Sequence, residues 1–180
     1  LGLKKSRREL ALIAHKAEVM NKTGLGSVTA EYLGGFLVRE KKGGPLTAKR
    51  IVIEEKKLYY ASFGPISTRK ILSDPAMVEI INRSCRVAFR SLNALKKPFG
   101  FGPVFRIAKE FARSTGLLKS KRIIGVIESI ESRGGFAAMN MLGRSVISTT
   151  PFAHASVLGI SNRGAGVMHR RNSQIQSAGR

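Results

Sequence analysis

The residues best placed to do chemistry in this chain are cations. Arg83, Arg86, Arg90 and Lys97 recur at spacings of 3, 4 and 7, and Arg106, Lys109 and Arg113 repeat the pattern at 3 and 4. At about 100° per residue, such spacings line up on one side of a helix. A row of this kind holds anions, and arginine's planar fork can grip a phosphate through two hydrogen bonds. Lys4, Lys5, Arg7 and Arg8 crowd the start of another helical segment. The helix dipole is already positive there, so a bound anion would relieve the conflict. Arg163, Arg170 and Arg171 belong to a final stretch with no acid after Glu131. Together these cations form a predicted nucleic-acid-binding set.

Groups that could do covalent or proton chemistry are scattered by comparison. Gly24-Leu25-Gly26 and Gly100-Phe101-Gly102 lack the third glycine of a dinucleotide loop, because Thr29 and Phe105 occupy those positions. No glycine-rich loop runs into Gly-Lys-Ser/Thr. His15, His154 and His169 have no second ligand at metal spacing, and His15 reads as a surface or packing residue. Asp74, the only Asp, suits a helix cap. Glu128 and Glu131 lie three apart, with nothing nearby to complete an acid–base or metal site. Cys85 falls on an apolar stripe, where a buried small hydrophobe is expected rather than a nucleophile. One cysteine allows neither an intrachain disulfide nor a cysteine-based zinc site. Neither a catalytic residue, a metal site nor a cofactor is therefore expected.

These residues must be carried by a folded core. The chain has 180 residues, 43% of them hydrophobic, which is too apolar for a basic disordered chain. Residues 4–22 read as a helix whose buried stripe is Leu10, Ile13, Ala14, Ala17 and Met20, stopped by Thr23-Gly24. Residues 33–63 read as a β-meander, with a hairpin joining 51–53 to 58–60. Ser73-Asp74-Pro75 starts the strongest helix, over 74–97, with Met77, Ile81, Cys85, Ala88, Leu92 and Leu95 on one face. Phe99 and Phe101 are expected to plug the core beside a turn. A further helix is predicted over 104–115, a strand over 122–128, and one or two helical turns over 136–142.

The expected fold is α+β, a small antiparallel sheet packed against two or three amphipathic helices, with a basic C-terminal tail. The meander would pack on the 74–97 helix. The expected divisions are a basic N-terminal helix (1–24), a core (25–159) and an Arg-rich tail (160–180) ordered only when bound. Residue 1 is Leu, which fits removal of a presequence or a truncated chain.

The net charge of +21, from 32 Lys and Arg against 11 Asp and Glu, exceeds the charge of about 2–8 that keeps a small domain soluble. A polyanion is the partner this implies. The sequence therefore predicts a non-enzymatic RNA-binding protein of a large ribonucleoprotein, a ribosome, with the mitochondrial or another organellar one included. The expected partners are structured RNA and neighbouring proteins of the assembly, with no small-molecule substrate and no membrane. The alternatives are a viral or phage coat or nucleocapsid protein residing in a virion, and a basic accessory subunit of an organellar membrane complex facing anionic lipid.

Overall fold

The structure is a computed structural model that describes residues 4–24, 26–39, 47–53, 57–65, 67–96, 99–141 and 143–165. The chain runs through α1 (Arg7–Met20), α2 (Ser27–Leu33), β1 (Phe36–Val38), β2 (Lys49–Ile51), β3 (Lys57–Pro65) and α3 (Thr68–Leu72). It continues through α4 (Pro75–Asn93), α5 (Phe101–Ser114), α6 (Lys121–Glu131), β4 (Ala137–Met139), β5 (Gly143–Ser148) and β6 (Ser156–Gly159). The α+β class expected from the sequence is observed.

The strands do not form the expected meander. β1 and β2 make a two-stranded antiparallel ribbon, with Phe36 opposite Ile51. β3 leaves its neighbour in sequence and enters a separate four-stranded antiparallel sheet in the order β4-β5-β3-β6. Tyr60 lies opposite Ile147 of β5 on one side and Ser156 of β6 on the other. The predicted 51–53/58–60 hairpin is therefore absent. β3 has better partners: Leu58 and Ala61 are buried in the large sheet, whereas a pairing with β2 would end at exposed Val52.

Helices α5 and α6 cover this sheet. Ile123, Ile127 and Ile130 of α6 recur at i, i+4 and i+7 and are at most 1% exposed. They pack with Ala112, Ala137, Met139 and Val146. Ser120 caps the helix, its hydroxyl accepting from the Ile123 amide. The predicted strand over 122–128 is corrected to a helix, because burial of one stripe outweighs the β-branched propensity. On the other side of β4, Ala138 packs with Leu58, Phe101 and Phe105. Phe101 stacks on Phe105 at 5.5 Å between centroids and meets Phe36 edge-on at 5.7 Å. Phe99 and Phe101 are both buried, as expected. β4 is buried along its whole length, so it lacks the polar alternation that marks a half-buried strand. That is why the predicted helical turns over 136–142 give way to a strand over 137–139.

Helix α4 starts as the sequence requires. Asp74 Oδ1 accepts from the amides of Ala76 and Met77 at 3.0 and 3.3 Å, and Pro75 follows in the first turn. It packs along α5 and α3 rather than under the sheet, and none of its residues, all described, is fully buried. The expected packing of the meander on this helix is corrected accordingly. Cys85 is half-buried, and burial pushes its thiol pKa up.

The chain beyond β6 turns back across α2. The Gly35 amide donates to Ser161 O at 2.7 Å, and the Ala165 amide donates to Glu31 O. The described start of the expected tail is thus hydrogen-bonded to the fold. Residues 166–180 lie outside the described residues.

Candidate functional site

Helices α1 and α2 form an antiparallel hairpin, and a polar cluster with unpartnered buried atoms lies between them. Ser6 and Glu9 close a capping box at the start of α1. At its end, the Thr23 amide donates to Glu18 O and the Lys22 amide to Val19 O, the pattern of a Schellman stop. Lys22 takes the left-handed position, with φ 52°, and the helix ends at Met20, two residues short of the predicted end at 22. At the opposite end of the hairpin, Arg7 Nη2 donates to Tyr32 O at 2.8 Å and to Ala165 O at 3.3 Å. Its guanidinium also lies over the Tyr32 ring at 5.2 Å. These contacts tie the hairpin to the segment leaving the large sheet.

Between these ends, α1 turns Ala11, His15 and Glu18 toward α2. Glu18 Oε1 accepts a short hydrogen bond from Ser27 Oγ at 2.5 Å. A Cβ on Gly24 would lie 2.5 Å from the same oxygen, so the turn passes close to the end of the Glu18 side chain. The other carboxylate oxygen, Oε2, is buried without a hydrogen-bond partner, as are His15 Nδ1 and Thr29 Oγ1. The His15 and Glu18 side chains are only 16% and 10% exposed, and Nδ1 stands 3.9 Å from Oε2, beyond hydrogen-bond distance.

Buried polar groups are nearly always paired, and leaving one unpaired costs about 1–3 kcal/mol. Orphaned atoms in one short hairpin therefore mark a place built to hold something polar. The groups have clear capacities. A carboxylate fixed through one oxygen can accept a hydroxyl hydrogen bond, or the proton itself, through the other.

Grooves lie elsewhere, among them one of about 570 Å³ lined by Ile71, Met77, Leu117, Lys121 and Arg144. A second, of about 560 Å³, separates α4 from α5 and is lined by Arg83, Val87, Arg106, Glu110 and Phe111. A third, of about 500 Å³, runs beside α6 past Lys121, Arg122, Phe63, Phe152 and His154. All three are open, and none holds one of the orphaned atoms.

The cations singled out in the sequence do not converge on one place. Lys4 is exposed, and Lys5 lies 3.6 Å from Glu9. Arg7 is engaged with Tyr32 and Ala165, while Arg8 faces solvent. Arg83, Arg86 and Arg90 share the exposed side of α4, as their spacing requires. Arg106 lies over the Phe136 ring at 5.6 Å. Lys109 is paired with Glu131, and Arg113 stands 3.9 Å from Glu110. Arg163 is exposed, while its backbone crosses Gly34. Lys97, Arg170 and Arg171 lie outside the described residues. The sequence reading missed Glu18, Ser27 and Thr29 and set His15 aside. The available signal was an i, i+3 His–Glu pair leading directly into a Gly-x-Gly-Ser turn.

No protein-family model matches the chain. It is similar to the pantoate kinase of Methanospirillum hungatei, 34% identical over 143 residues, which is 79% of this chain and 46% of that protein. It is also similar to the pantoate kinase of Methanocaldococcus jannaschii, 34% identical over 139 residues, or 76% of this chain and 49% of that one. A third pantoate kinase, from Thermococcus kodakarensis, is 37% identical over 110 residues, 60% of this chain and 35% of its own length. The chain thus spans about half the length, or less, of the curated relatives it matches. Its fold is that of a solved structure titled "Phosphotransferase related to CoA biosynthesis pathway", with a TM-score of 0.73 over 89% of this chain and 57% of that one, at 24% identity.

These likenesses overturn the functional expectation drawn from charge. The relatives that share most of this chain's sequence are named as kinases of a small molecule. The ribosomal RNA-binding role falls with its coat-protein and membrane-complex alternatives, and so do the expectations of no enzymatic activity and no small-molecule substrate. The physical reason is that net charge bears on solubility and long-range attraction, not on what a particular site does.

Proposed function

We propose that this chain carries the acceptor site of a kinase that transfers a phosphoryl group to pantoate, and that the acceptor sits on His15, Glu18, Ser27 and Thr29. The observation that carries the reading is the set of orphaned buried atoms, His15 Nδ1, Glu18 Oε2 and Thr29 Oγ1, beside the glycine turn. The similarity to pantoate kinases supplies the substrate. Pantoate is a small hydroxylated carboxylate, so it matches a site built to receive hydroxyl groups.

Phosphoryl transfer depends chiefly on positioning and charge stabilisation. A pantoate hydroxyl oxygen forms the new bond to the γ-phosphorus of ATP while the bond to the β-phosphate oxygen breaks and ADP leaves. Glu18 would take the hydroxyl proton on Oε2, with Ser27 holding the carboxylate through Oε1. His15 and Thr29 would fix the acceptor's orientation. The phosphate-binding part of the reaction needs groups beyond this cluster, and the sequence shows no phosphate loop of the Gly-Lys-Ser/Thr type.

Titration calorimetry of the chain with pantoate tests the reading, with lactate as a one-hydroxyl control. Wild type should bind pantoate more tightly than lactate. Glu18→Gln and His15→Ala should each weaken pantoate by roughly 10–150-fold, the equivalent of about 1.5–3 kcal/mol for a hydrogen bond to a charged group. Undiminished binding by both variants would move the acceptor site elsewhere.

A further inference from the structure

The groove beside α6 carries features that neither the fold nor the acceptor cluster uses. Gly125 stands in the middle of the helix, where glycine weakens a helix relative to alanine. An added Cβ there would meet no neighbouring atom within 4 Å, so nothing packed against the helix among the described residues requires its absence. Glycine at such a place lets a ligand approach the backbone closely. His154 lines the same groove and holds a left-handed backbone, with φ 62°. Strain of that kind in a residue other than glycine gathers at ligand sites. The walls are firm, because Phe63 and Phe152 are half-buried and pack against the core cluster of α6.

The cations of the groove stand at its two ends. α6 has 11 residues and is about 16 Å long. Lys121 and Arg122 lie in its first turn, and the Arg122 guanidinium is laid over the Phe63 ring at 4.7 Å. A stacked guanidinium still directs its N–H groups outward in its own plane. Arg133 follows the helix, and its Nε donates to Ser129 O at 3.0 Å, which holds the guanidinium over the last turn. No described carboxylate lines the groove. We propose that it binds an elongated small molecule, with a phosphate at the Lys121–Arg122 end, an apolar middle over Gly125 and Val126, and a second anionic group at Arg133. The two ends are too far apart to grip one phosphate together. Two anions joined by an apolar chain match the charge at each end and the aromatic walls between. None of His15, Glu18, Ser27 and Thr29 lines this groove, and the inference does not rest on the kinase reading.

Titration calorimetry with hexanediol bisphosphate tests the site, beside phosphooxyhexanoate, hexyl phosphate and inorganic phosphate. Salt at about 150 mM screens the general field of a chain with charge +21. The bisphosphate should bind about tenfold more tightly than hexyl phosphate or better, and inorganic phosphate most weakly. Equal binding of phosphooxyhexanoate would support a carboxylate at the Arg133 end, and its failure a phosphate there. Arg122→Gln and Arg133→Gln should each weaken the bisphosphate by about tenfold, the loss of one charge-assisted contact in an open groove. Arg86→Gln, which removes an exposed cation on α4, should leave its affinity unchanged. Thermal melts check that the variants fold. Gly125→Leu separates a binding role from a structural one. It should keep or raise the melting temperature, since leucine favours a helix over glycine, while weakening the bisphosphate by about tenfold or more. Bisphosphate binding no tighter than that of hexyl phosphate, an equal loss in Arg86→Gln, or full affinity in Gly125→Leu would each overturn the site.

Discussion

If His15 and Glu18 are kept for binding rather than for folding, replacing both with apolar residues should make the free protein more stable. The perturbation is His15→Leu together with Glu18→Met, which roughly conserves volume. Two buried orphans disappear, His15 Nδ1 and Glu18 Oε2, each costing about 1–3 kcal/mol in the wild type. Against that stands the loss of the Ser27–Glu18 hydrogen bond, worth about 1.5–3 kcal/mol when the acceptor is charged. Ser27 is exposed, so water can take over its hydroxyl. The balance favours the variant by on the order of 1 kcal/mol, or about 2–4 °C in melting temperature for a protein of this size. The single variant His15→Leu removes one orphan and keeps the Ser27–Glu18 hydrogen bond, so it should be at least as stable as wild type. Thermal and urea denaturation at neutral pH, without pantoate, measure both. The double variant should also lose pantoate binding, giving the exchange of function for stability expected at a site. A double variant that loses about 2 kcal/mol or more would show that the pair is structural, and the acceptor site would have to be withdrawn.

Two further outcomes follow from the frame around the site. Hydrogen bonds from the Ser6 amide and hydroxyl hold the Glu9 carboxyl below its ordinary pKa, with Lys5 adding to them. A carboxyl depressed in the folded state stabilises above its unfolded pKa near 4.5, and that contribution fades as pH falls through the lower folded value. Ser6→Ala removes the hydroxyl and keeps the amide, so it should lower stability at neutral pH and partly flatten the stability profile below pH 4.5, as read by urea melts across pH. Gly34→Ala tests the crossing that ties the hairpin to the sheet. Gly34 has φ 68°, and a Cβ there would lie 2.5 Å from the Arg163 carbonyl carbon. The left-handed backbone alone costs about 1–2 kcal/mol, and the clash adds to it. A melting temperature lowered by less than about 2 °C would show that the 161–165 segment is not held against α2.

The helices were legible where one stripe dominates. Met77, Ile81, Cys85, Ala88 and Leu92 define α4, and Asp74-Pro75 marks its start because capping is local chemistry. The strand pairing was not legible. β3 ignores β2 and pairs with β5 and β6, about 80 residues away or more, and no local pattern encodes so distant a choice. α6 misled because two signals conflicted, and the i, i+4, i+7 burial of Ile123, Ile127 and Ile130 decided it. α2 was missed because it is short, seven residues between glycines, with too little periodicity to register.

The site was illegible for a connected reason. In α1 the strongest apolar stripe, Leu10-Ile13-Ala17-Met20, was read as the buried face, which placed His15 and Glu18 toward solvent. The structure turns the helix the other way: the polar pair is packed against α2 and the apolar stripe is open. A hydrophobic stripe read from spacing alone says which residues share a side of the helix, not which side its neighbour will cover. The charge misled in the same manner. Arg7 and Lys109 were counted as open cations, yet Arg7 clamps the hairpin through Tyr32 and Ala165, and Lys109 pairs with Glu131. A total of +21 adds such occupied groups to free ones. It speaks to the field around the molecule, and not to what any one cluster of side chains does.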